Sequence, residues 1–134
     1  MSFKQITQIA GSAMSAQTVR LNTIASNLAN ADAAAGSEGA AYRARKPVFA
    51  TVMNTEAGGA VQVVDVVSSA EPPRQAHEPD NPLANAEGMV FYPNVNQVAE
   101  MTDMMSASRA FETNVEVLGR IRSMQQSLLK LGEG

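Results

Sequence analysis

The chain has no cysteine and no tryptophan, and its only aromatic residues are four Phe and two Tyr in 134 residues. Without cysteine there are no disulfides, no thiolate metal ligands and no cysteine nucleophile, and nothing ties the chain to an oxidising or a reducing compartment. With so few rings the bulkiest core-fillers are missing, so any compact core is thin. A basic surplus is missing too: ten Lys and Arg stand against thirteen Asp and Glu, a net charge of -3, which argues against a general nucleic-acid binder. No run approaches the ~18 apolar residues of a membrane span. The N-terminal MSFKQITQIAGSAMSAQ has no continuous apolar stretch, so a cleavable secretory signal is not expected.

Signs of catalysis are equally sparse. The one histidine, His77, lies in QAHEPDNP near Glu78 and Asp80, and a lone imidazole in a proline-rich segment supplies neither a convergent ligand set nor a nucleophile held by a base. GSEG, residues 36–39, lacks the Lys and following helix of a phosphate loop. Glu112 and Glu116 are four apart, but Arg109 and Arg120 flank them, which reads as surface ion pairing. No enzyme activity, cofactor or metal is expected.

What the chain does have is two long helical patterns. The first runs from about Ser2 to Asn30, with Ser2 and Gln5 at capping-box spacing. Its apolar or small positions are Phe3, Ala10, Met14, Leu21, Ile24, Leu28 and Ala31, a three-four spacing with Thr7 and Gln17 in the gaps, as in a coiled-coil seam. The second opens after YPNVN, where Pro93 cannot be helical and Asn94 or Asn96 can cap. Met101, Met104, Ser108, Phe111, Val115 and Leu118 continue the three-four step. Ile121, Met124, Leu128 and Leu131 then form a displaced stripe that ends at Gly132, with a local overwinding near Leu118.

Between the helices, PVFATVM and VQVVDVV predict a β-hairpin joined by NTEAGG, and SSAEPPRQAHEPDNP, with four of the six prolines, predicts coil without regular structure. The expected fold is mainly α. An antiparallel coiled-coil-like helix pair, residues 1–33 and 94–134, is joined by a middle segment, 34–93, in one structural unit. Helices of about 29 and 37 residues are about 43 and 55 Å long, more than one hairpin covers, so open apolar surface implies assembly with other molecules. Eight acids against one base between Glu56 and Asp103, opposed by the basic Arg43, Arg45, Lys46 loop and by Arg120, Arg122 and Lys130, suit head-to-tail packing.

The quoted residues also carry a resemblance. SAMSAQTVRLNTIASNLANADA, residues 12–33, resembles the N-terminal signature of bacterial flagellar rod and hook proteins, YRARKPVF resembles the segment that follows it, and NPLANAEGMVFYPNVNQVAEMTDMMSASRAFETNVEVL resembles the C-terminal half of the rod members. The resemblance implies a structural subunit of the basal-body rod that is exported through the flagellar type III apparatus, assembles in the periplasm with copies of itself and neighbouring rod proteins, and passes motor torque to the hook. The larger middle domain of hook and distal-rod relatives is absent, which points to the proximal rod. It further implies that the terminal helices pack in the inner tube and that the middle, with Tyr42, Arg43, Arg45 and Lys46, contacts adjacent subunits. Arg20, Asn22, Asn27, Asn30, Asn94, Asn96, Glu100, Arg109 and Asn114 fall in the shared motifs. Buried Asn in the seam is expected to fix register between helices at some expense of stability, so Asn27→Leu should strengthen an isolated coiled coil. A helical adaptor or export-chaperone-like binding module is the alternative.

Overall fold

The computed structural model describes residues 1–54 and 58–134. Helix α1, Phe3–Ala29, starts at Ser2, whose Oγ accepts from the Gln5 N–H at 3.2 Å while the Ser2 N–H donates to Gln5 Oε1 at 2.8 Å. The reciprocal pair satisfies N–H groups that a helix start leaves free. Asn30 closes α1, its Nδ2 donating to Ser26 O at 2.9 Å. Helix α2, Gln97–Glu133, is capped by Asn96, whose side chain accepts from the Ala99 N–H. It runs through Gly132, where a stop was expected: one helical glycine costs about 1 kcal/mol relative to alanine, which does not by itself end a helix.

The two helices pair antiparallel. Asp32, just past α1, accepts from Gln97 at 3.3 Å, Arg20 meets Asp103 at 2.6 Å, and Phe3 shares a groove with Leu128 and Leu129. On α2 the positions that are not exposed include Glu100, Met104, Ala107, Phe111, Asn114, Leu118 and Ile121, in alternating steps of four and three, with Asp103, Ser108, Ala110 and Val117 half-buried beside them. Of the expected seam positions, Met104, Ser108, Phe111 and Leu118 are half-buried, and Met101 and Val115 are not. Met101 and Val115 are 54% and 45% exposed, and Leu118 to Ile121 is an ordinary step of three rather than an overwinding.

Strands β1, Arg45–Asn54, and β2, Gly58–Ser68, form the expected antiparallel hairpin, with a register shift between Val48 and Phe49. Residues 55–57 of its NTEAGG connection lie outside the described residues. The hairpin lies along α1: Ser12 Oγ accepts from the Val61 N–H at 3.1 Å, and Asn27 is bonded to Arg45. One face of α1 therefore packs on α2 and another under the hairpin.

The proline-rich segment is not all coil. Arg74–His77 forms β3, which pairs antiparallel with β4, Met89–Tyr92. Ala35 extends this small sheet by exchanging backbone bonds with Phe91 at 2.8 and 2.9 Å. Gly88 makes the turn before β4 at φ 75°, where a Cβ would lie 3.1 Å from His77 Nε2 and 3.2 Å from Pro79 Cβ, so both the backbone angle and the space call for glycine. Among the described residues, six of the nine buried apolar side chains other than proline are alanines: Ala10, Ala16, Ala31, Ala41, Ala44 and Ala107. The core is thin, and it works by close backbone approach.

Candidate assembly interface

Three features make up the candidate site: a lock between α1 and the hairpin, a charged cleft where α1, β1 and α2 meet, and apolar surface left open on α2. The lock is Asn27, 1% exposed on a helix otherwise poor in large side chains. Its Oδ1 accepts from the Arg45 N–H at 2.9 Å and from Tyr42 Oη at 2.8 Å, and its Nδ2 donates to Arg45 O at 2.8 Å. Tyr42 Oη also lies 3.0 Å from Ser26 Oγ, and the Arg45 guanidinium sits over the Tyr42 ring at 5.9 Å. The amide is satisfied inside the chain, by the segment that leads into β1. Its visible work is to fasten the hairpin to α1, rather than to hold register against α2.

The cleft, of about 340 Å³, is lined by Arg20, Ile24, Arg45, Lys46, Glu100 and Asp103 among others. Arg20 donates to Asp103 Oδ1 and leans on Gln17. Glu100 is 8% exposed, and its Oε2 is buried with no hydrogen-bond partner among the described residues. A buried carboxylate oxygen without a donor is costly.

Apolar surface is open along α2. Val98, Met101 and Met105 near its start are 75%, 54% and 61% exposed, and Met124, Leu128, Leu129 and Leu131 beyond Ile121 are 55%, 54%, 68% and 77% exposed. On α1, Ile24 is buried, Met14, Leu21 and Leu28 are half-buried, and Asn22 is exposed. Asn114 donates to Ala110 O of its own helix, and Arg109 is exposed. The expected surface pair is present at Arg120 and Glu116, 2.6 Å apart.

The middle segment is braced by polar contacts. Asn94 reaches Glu71, and Arg43 reaches the Ser69 and Glu71 carbonyls and Glu38. In the β3–β4 unit, Glu78 Oε2 accepts from Asn81 Nδ2 at 3.0 Å and from Tyr92 Oη at 2.8 Å. The Asn81 amide first, and the Tyr92 hydroxyl second, hold the Glu78 carboxyl below its ordinary range. The hydrogen bond to Glu78 is also the main reason the Tyr92 phenol is pushed up. Among the described residues no group of three or more His, Asp or Glu is placed to hold a metal ion, and no helix is long and apolar enough to cross a membrane.

The sequence reading gave no structural role to Asp103, Ala107, Glu78 or Tyr92. An acid one heptad-compatible step from Glu100 and opposite Arg20 was the available signal for Asp103. Ala107 carries no signal of its own, because a small residue looks the same on a seam and on a surface.

Comparison with known proteins gives two family matches, one toward each end of the chain. Residues 8–36 match the family described as "Flagella basal body rod protein", and residues 86–131 match "Flagellar basal body rod FlgEFG protein C-terminal". The two matches fall on α1 and on β4 with α2, the two helices that line the cleft together with β1. Over its full length the chain is similar to the flagellar basal-body rod protein FlgC of Escherichia coli O6:H1, at 48% identity over 99% of this chain and 100% of the relative. The FlgC of Salmonella typhimurium is 47% identical over the same shares, and that of Bacillus subtilis 32% identical over 93% of this chain and 95% of the relative. The chain belongs to the FlgC family of flagellar basal-body rod proteins. It is a structural subunit of the rod, from a family of building blocks and not of enzymes.

Proposed function

We propose that the chain polymerises through its two terminal helices, packed as a coiled coil, into the axial tube of the proximal rod that carries motor torque to the hook. It travels unfolded through the flagellar type III export apparatus, without a cleavable signal, and assembles in the periplasm. The middle segment, with Tyr42, Arg43, Arg45 and Lys46, faces outward against adjacent subunits. The observation that carries this reading is the stripe Met124, Leu128, Leu129 and Leu131, apolar and more than half exposed at a helix end where Leu128 and Leu129 share a groove with Phe3. Contiguous apolar surface of this kind marks a partner site. The alanine-rich core supports the export step, since a subunit that must unfold for transport is served by modest monomer stability, with the remaining burial completed in the assembly.

Deleting the gene tests the proposal. Cells should stop swimming, with basal bodies arrested before the hook, and the full chain supplied in trans should restore both. Complete basal bodies in the deletion strain would overturn it. A helical adaptor would instead be recovered in a discrete complex with one client.

A further inference from the structure

We infer that Asp65 closes the outer edge of β2, and so keeps the β-hairpin of one copy from pairing strand to strand with the hairpin of another.

A two-stranded sheet has two outer edges, and an open edge is a template for a further strand. Among the described residues β1 and β2 pair only with each other. The run VQVVDVV, residues 61–67, has the composition that takes such a template: five valines in seven residues, no proline and a single charge. Val64, Val66 and Val67 are exposed.

The ladder shows which backbone groups point outward. Asn27 on α1 holds both the N–H and the C=O of Arg45, so Arg45 faces away from β2. Outward and inward residues alternate along an antiparallel pair, which turns Pro47 and its partner Val66 outward as well. Val61 points outward too, its N–H donating to Ser12 Oγ on α1 at 3.1 Å. Each of these positions is stopped in its own way. Asn27 covers Arg45, Ser12 covers Val61, and Pro47 has no N–H to offer. Val66 is stopped by its neighbour in sequence: its N–H donates to Asp65 Oδ1 at 2.7 Å. The register shift between Val48 and Phe49, which leaves Val64 without a partner on β1, kinks the same stretch.

Asp65 therefore acts twice. Its carboxylate takes the donor that an incoming strand would need, and its charge sits exposed between Val64 and Val66. Two β2 edges approaching antiparallel about this point bring Asp65 against Asp65, and like charges facing across strands repel. The valines stay open to water without becoming a joint between copies, and association is left to the helices.

Light scattering of the isolated full chain over a concentration series tests this, with helicity followed by circular dichroism. Asp65→Ala, at an exposed position, should keep the parent's helicity and self-associate at a concentration about tenfold lower, the worth of one hydrogen bond to a charged group. Glu87→Ala removes the same charge from the exposed turn before β4 and should behave as the parent. Asp65→Ala with Val66→Pro removes the outward N–H itself, which the ladder does not use, and should return to the parent's concentration dependence. Association of Asp65→Ala at the parent's concentration, an equal shift in Glu87→Ala, or a shift that persists with Val66→Pro would each overturn the inference. So would a loss of helicity in Asp65→Ala, which would give the residue a folding role instead.

Discussion

Asn27 and Arg45 are joined by two hydrogen bonds that use both ends of one side-chain amide: the Arg45 N–H donates to Asn27 Oδ1 at 2.9 Å, and Asn27 Nδ2 donates to Arg45 O at 2.8 Å. The pair couples the middle of α1 to the first residue of β1 and reverses the sign of one expectation. Asn27→Leu does not strengthen the chain. It leaves the Arg45 N–H and C=O without their partners on α1, while the Tyr42 hydroxyl keeps Ser26, at a cost of about 1–3 kcal/mol. Urea unfolding should show that loss, and a variant as stable as the parent would contradict the lock.

The phase of the helix seam is tested by a contrast. Ala107 is fully buried against α1, so Ala107→Leu should overpack the contact and destabilise by about 1–3 kcal/mol. Val115 is 45% exposed, and Val115→Ala should stay within about 0.5 kcal/mol in the isolated chain. Thermal melts showing the reverse order would restore the seam through Val115.

That contrast also shows what the sequence could reveal. The helix starts were legible because caps act locally: Ser2 with Gln5, and Asn96 after Pro93, need only their own neighbours. The seam on α2 was half legible because the helix carries two stripes. One, through Glu100, Ala107 and Asn114, packs the chain on itself with polar and small residues. The other, through Met101, Met105 and Val115, is apolar and faces out. A search for large apolar residues finds the second. The β3–β4 unit was missed because RQAH has no β-branched residue and sits among prolines. It is a strand only because MVFY, bounded by Gly88 and Pro93, lies beside it. The partners of Asn27 were not legible because they come from Tyr42 and Arg45, 15 and 18 residues away.

Arg20 and Asp103 connect the two helices across the cleft, with side chains 21% and 50% exposed. A double-mutant cycle with Arg20→Ala and Asp103→Ala should give a coupling of about 0.5–1 kcal/mol in dilute buffer. It should shrink toward zero near 1 M salt, where charges are screened beyond about 3 Å. A coupling that is absent in dilute buffer would remove the pair from the helix contact.

The Glu78–Tyr92 contact makes the β3–β4 unit sensitive to acid. The folded carboxyl titrates below its ordinary value of 4.5, so its contribution is present above the unfolded value and lost as pH falls through the folded one. Below pH 4.5 the parent should lose stability more steeply than Tyr92→Phe, whose Glu78 keeps only the Asn81 bond. Thermal melts of the two proteins with equal slopes across that range would place the acid sensitivity elsewhere.

The most direct measurement is amide hydrogen exchange across residues 122–133, in the isolated chain and in purified basal bodies. Those residues are helical and exposed on every side in the single chain, so the free protein should exchange them rapidly, as helix ends without packing do. In the assembled rod the same amides should be strongly protected, because neighbouring subunits cover the stripe from Met124 to Leu131. Equally fast exchange in both states would mean that the tail of α2 is not an assembly surface.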